Sequence, residues 1–206
     1  MTHMIYMMER ILIWLPRGVS GLVLFLSVLA YYRAVSVPGD KREKKMSILI
    51  YVFVGFEIIY AASLSAAQYY VWSLSEFTRL LLPPTASIKY IIQYSFTHFW
   101  LGTFCAFFLS LLFYSLLSAL KKKNENFFLP AETQLGFLCA LVSGWPGFVL
   151  YLPLLLVSTI IVSLARRLIA HQERTTLGWP MILAAAVTLF AGNYLIDLLG
   201  LGVLRI

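Results

Sequence analysis

The sequence predicts an all-α polytopic integral membrane protein, with six or seven transmembrane helices and no sizeable soluble domain. Three observations carry this. Of the 206 residues, 61% are hydrophobic and only 12% are charged, and the mean hydropathy is +0.84. A soluble domain is about half apolar and about a quarter charged, so an ordinary globular protein, a disordered chain and a disulfide scaffold are all excluded. The apolar residues gather in runs over 10–32, 46–75, 79–120, 133–165 and 178–203, and a hydrocarbon core of ~30 Å requires roughly 20 such residues per helix. None of these runs alternates in the manner of a strand, which excludes a β-barrel. With no internal repeat and no low-complexity linker, residues 1–206 read as a single membrane domain.

Element by element, the first run carries Pro16 and Arg17, lacks a small-residue cleavage site and continues to Tyr32, so it reads as a helix and not as a removable signal peptide. The run 133–165 is too long for one span and is broken by Gly144-Trp145-Pro146-Gly147, a strong turn signal, so it reads as a helical hairpin. The run 79–120 admits two readings. It is either one span entered through the polar stretch around Pro83 and Pro84, or two short spans turning near Thr97-His98.

The net charge of +7 comes from 16 Lys and Arg against 9 Asp and Glu. These bases lie in short clusters between apolar runs, which is the orientation signal of a membrane protein and not a nucleic-acid footprint. The largest clusters are Arg33, Lys41, Arg42, Lys44 and Lys45; Lys121, Lys122 and Lys123; and Arg166, Arg167 and Arg174. With one span in 79–120 there are six spans, and 11 of the 16 bases fall on one side, expected to be cytoplasmic. With two there are seven, and nine bases do. The charge rule favours six.

Four acids sit within or beside the apolar runs, where ionisable groups are costly: Glu57, Glu76, Glu132 and Asp197. Asp197, near the chain end, reads as an interfacial acid. Glu57, in mid-run, reads as a structural hydrogen bonder or as the polar centre of a small transporter, with Gln68 or His98 as neighbours. Glu76 lies seven residues before Pro83, where the Pro83-Pro84 pair should end a helix. Glu132 lies in the first turn of the hairpin's first helix, where the helix dipole favours a carboxylate. His98 alone falls short of a metal or haem site, and Cys105 and Cys139 read as small buried hydrophobes. No metal, disulfide or cofactor is implied.

Taken in order, these features resemble the prepilin leader peptidases, intramembrane aspartyl proteases that include the preflagellin peptidases. The family's first motif is an aspartate followed at the seventh position by proline, echoed by Glu76 to Leu82-Pro83. Its second, Gly-x-Gly-Asp-x-Lys-Leu, is echoed by Leu129-Pro130-Ala131-Glu132-Thr133-Gln134-Leu135, which keeps an acid and the leucine but lacks both glycines and the lysine. Gly144-Trp145, the leucine-rich run after Pro153, and Gly178-Trp179-Pro180 follow in the family's order. A fainter echo is Tyr31-Tyr32-Arg33, similar to the end of the family's first helix, with Pro38 later than in that pattern. The resemblance covers 76–200 best, as a peptidase-like core, with 10–75 as more weakly similar N-terminal helices.

The resemblance implies an endopeptidase of the prokaryotic inner membrane. Its Glu76 and Glu132 would act as an acid and base pair, activating water against the leader peptide of a pilin-type or pseudopilin subunit. Two close carboxylates share one proton, which suits them to this work. Both acids must then reach one cytoplasmic side, which requires the seven-span arrangement. Glutamate in place of both aspartates shifts each carboxylate by about 1.5 Å, and misplacement by ~1 Å can cost about 100-fold in rate. Without the family's paired-cysteine insert, N-terminal methylation with S-adenosylmethionine is not assigned. Three functions therefore stand open: the peptidase, a catalytically inactive relative serving as a structural or adaptor subunit, and a small transporter subunit built on Glu57. The expected partners are the lipid bilayer and either a leader helix or a subunit of a membrane complex, with no nucleic acid.

Overall fold

The structure is a computed structural model that describes residues 2–33, 39–74, 76–83, 87–123, 128–129, 131–170 and 176–204. The sequence features at Pro38, Ser75, Pro84, Pro130 and Arg174 lie outside the described residues. Among the described residues all regular structure is helical. The helices are α1 (Thr2–Arg33), α2 (Gly39–Leu74), the single turn α3 (Glu76–Arg79), α4 (Ile88–Ser95), α5 (Leu101–Lys123), α6 (Glu132–Ser143), α7 (Gly147–Ala170) and α8 (Gly178–Leu198). Five segments are long and apolar enough to cross a membrane: Trp14–Tyr32, Glu43–Leu74, Ile88–Lys123, Gly147–Leu168 and Gly178–Leu198.

Of the two readings of 79–120, the structure has the single helix. No turn forms at Thr97-His98; a π-helical turn (Phe96–Trp100) joins α4 to α5 into one long helix. Neither glycine nor proline stands at the turn, and the local polar groups bond back along the helix. Thr97 Oγ1 donates to the carbonyls of Gln93 and Tyr94, at 3.0 Å each. His98 Nδ1 lies 3.0 Å from the same Tyr94 carbonyl, so it serves this helix and not a neighbouring one. The long helix runs antiparallel to α2 along its whole length. Tyr90 and Tyr94 pack on Trp72 at one end, Trp100 Nε1 donates to Ser65 Oγ (3.2 Å) in the middle, and Lys121 pairs with Glu43 (3.6 Å) at the other.

The hairpin turn falls where the sequence places it, at Gly144 to Gly147, but its arms are unequal. α7 has 24 residues and α6 only 12. At 1.5 Å per residue α6 is ~18 Å long, too short to cross a bilayer. It forms the centre of the bundle: Leu135, Leu138, Cys139 and Ala140 are fully buried, packed against α5 and α8. Close approach is set by Gly136, where a Cβ would collide with Leu117 of α5 and lie 3.2 Å from the Met181 sulfur of α8. α8 runs parallel to α6 and antiparallel to α7, whose Ser158 Oγ donates to the Pro180 carbonyl (3.0 Å).

The C-terminal ends of α1, α5 and α7 and the N-terminal ends of α2, α6 and α8 thus share one end of the bundle. Lys121, Lys122, Lys123, Arg166 and Arg167 belong to that end, with Lys44 and Lys45 of α2.

Substitution of Gly136 by valine is expected to lower stability by about 1–3 kcal/mol through overpacking, whereas Gly55→Ala, whose Cβ would meet nothing within 4 Å, is expected to change it little. Thermal unfolding of both variants in detergent tests the difference.

Candidate functional site

Glu132 is the first residue of α6 and its side chain is 0% exposed. Ala131 before it adopts a left-handed conformation (φ 72°), which turns the chain sharply into the helix. The carboxylate then folds back and accepts from the Leu129 backbone N–H at Oε2 (3.0 Å). Its other oxygen, Oε1, accepts from Tyr31 Oη (2.8 Å) and from the Gly178 backbone N–H (3.0 Å). Gly178 opens α8, so its N–H has no partner within the helix and is free to bind the carboxylate. The N-terminus of α8 therefore points its positive dipole end at this carboxylate, which itself stands in the first turn of α6.

Tyr31 reaches Glu132 only because residue 178 is glycine. A Cβ there would collide with the Tyr31 ring and hydroxyl. Trp179 holds the same ring edge-on, with centroids 6.4 Å apart. The arrangement is closed: the carboxylate has three donors and no contact with solvent.

Glu76 is not part of it. It is exposed and follows the far end of α2. Glu132 lies at the near end, where Gln134 of α6 shares a cleft with Glu43, Lys44 and Ser47. From Glu43 to Leu74 α2 rises by about 46 Å. The structure thus does not bring Glu76 and Glu132 together, because the single long helix after Glu76 returns the chain across the bundle once instead of twice.

The residue that does meet Glu132 is Tyr31, 101 positions away in sequence. A signal for it exists. Counted from Tyr31, and not from Tyr32-Arg33, Pro38 stands at the seventh position after a β-branched aliphatic residue, the same spacing as Glu76 to Pro83. It does not stand out among the acids because the residue is a phenol.

Of the remaining acids, Asp197 is exposed near the end of α8. Glu57 is half-buried on α2 and lines a cavity beyond the C-terminus of α6, together with His98, whereas Gln68 does not line it. Cys139 is buried within α6 and Cys105 is half-buried on α5.

Hydrogen bonds to a charged group contribute about 1.5–3 kcal/mol each. Tyr31→Phe is accordingly expected to destabilise by about that amount. Glu132→Ala, which strands the backbone donors of Leu129 and Gly178, the latter buried, is expected to cost more than Tyr31→Phe. A double-mutant cycle on the pair by thermal or denaturant unfolding is expected to show a coupling of about 0.5–3 kcal/mol, and additivity would contradict the contact.

No protein-family model, curated protein or solved structure matches this chain.

Proposed function

We propose that this protein is a non-hydrolysing relative of the prepilin leader peptidases and serves as a structural or adaptor subunit of a membrane assembly. One observation carries the reading: Glu132, at the place of the family's second acid, is hydrogen-bonded to Tyr31, which stands seven residues before a proline as the family's first acid does.

The chemistry of that pair differs from that of two carboxylates. Like acids in contact compete for one proton and can exchange roles of acid and base. A phenol and a carboxylate take fixed roles instead: Tyr31 donates and Glu132 accepts. Three donors at 2.8–3.0 Å and zero exposure leave no place beside the carboxylate for an attacking water. Hydrolysis through Glu76 and Glu132 finds no support, since the two lie at opposite ends of the bundle.

The same substitution reconciles the charge pattern with the family topology. Two membrane crossings, α2 and the long helix, separate Tyr31 from Glu132, so both positions lie at the end rich in Lys and Arg. The charge rule makes that end cytoplasmic, and the resemblance implies a prokaryotic inner membrane. A framework of this kind can hold a membrane helix without cutting it. The partner is then a pilin-type leader helix or another subunit of the complex.

The test is co-expression with a prepilin substrate. Unprocessed substrate is expected with the wild-type protein, unchanged by Glu76→Gln or Glu132→Gln. Leader removal by the wild-type protein that Glu132→Gln abolishes would overturn the reading.

A further inference from the structure

Because α6 spans only ~18 Å in a bundle whose neighbours have 21 to 36 residues, the interior beyond its C-terminus is not filled by a helix. The space is a half-enclosed cavity of about 620 Å³, within the ~300–1,000 Å³ typical of small-molecule sites. It lies at the opposite end of α6 from Glu132 and is independent of the reading given above.

Its walls combine charge and aromatic surface. α1 brings Arg17, α2 brings Glu57 and Tyr60, the long helix brings Trp100 and the α6–α7 turn brings Trp145. Among the described residues neither Arg17 nor Glu57 makes an ion pair, with each other or with any other side chain. The Arg17 guanidinium rests over the Trp14 ring, 5.4 Å from its centre. An acid and a base facing one cavity within membrane-spanning helices are each costly when left unneutralised. Both aromatic walls are fixed in advance: Trp145 Nε1 donates to the Leu204 carbonyl (2.9 Å) and Trp100 Nε1 to Ser65 Oγ (3.2 Å). Indole rings are the aromatic side chains that attract an ammonium group most strongly.

We propose that this cavity binds a zwitterionic amphiphile, with its ammonium group against Glu57 and the aromatic walls, its anionic group against Arg17 and its apolar body along the open side. Neither a simple amine nor a simple anion satisfies both charged walls. The molecule can come from the bilayer, as a lipid with an ethanolamine-type headgroup, or from solution, as a small zwitterion.

The purified full-length protein in detergent, titrated by tryptophan fluorescence, tests this with four probes: phosphatidylethanolamine, phosphatidylglycerol, free phosphoethanolamine and an alkylamine. Phosphatidylethanolamine is expected to bind at least about 10-fold more tightly than phosphatidylglycerol or the alkylamine. Glu57→Gln and Arg17→Gln are each expected to weaken it by about 10- to 100-fold, the loss of one charge-assisted hydrogen bond. A third variant guards against loss of folding. A Cβ on Gly102 meets nothing within 4 Å, and this glycine lines the cavity, so Gly102→Leu is expected to fold, to fill the space and to abolish binding. Binding of free phosphoethanolamine as tight as that of the lipid identifies a soluble source, and lipid binding alone identifies the membrane. Equal affinity for phosphatidylethanolamine and phosphatidylglycerol, or unchanged affinity in Gly102→Leu, overturns the proposal.

Discussion

The structure depends on one buried carboxylate. Taking an ion out of water costs several kcal/mol even after relaxation, and it is tolerated only where donors replace the lost hydration. Glu132 obtains its donors from three places: the phenol of α1, the backbone of its own approach loop and the first amide of α8. These lie 101, three and 46 positions away. One side chain therefore ties the end of the first helix, the start of the central helix and the start of the last helix into a single junction.

The glycines around that junction show how closely the helices must approach for it to form. Gly178 admits the Tyr31 ring and Gly136 admits Leu117 and Met181 against α6. Between lipid-facing helices there is little hydrophobic driving force, so close packing and shared polar groups carry the association. Here the two devices coincide within the first two turns of α6. The outward surfaces of the long helices, by contrast, carry large apolar side chains such as Ile59, Tyr70, Phe108 and Ile160, as expected where the neighbour is hydrocarbon.

Much of this was legible in the sequence, and the failures have physical causes. The helical membrane class follows from composition, and the Gly144 to Gly147 turn from its residues. Glu132 stood out as an acid in a first helical turn. Its partner did not, because a hydrogen bond across 101 positions leaves no local pattern and because a phenol at that spacing is not an ionisable acid of the usual kind. The run 79–120 could be read as two spans because its length permits it. Length does not decide such a case: Thr97 and His98 look like turn residues, yet both satisfy their polar groups on the preceding helical turn, and the helix continues. The shortness of α6 is legible too, since the apolar run starts at 133 and the turn falls at Gly144.

That shortness has a mechanical consequence. Well-packed protein interiors have low compressibility, and the half of the bundle containing α6 is packed in this way, whereas the half beyond it contains free volume. A lateral squeeze on the bundle therefore finds volume to lose beyond α6 and none around Glu132.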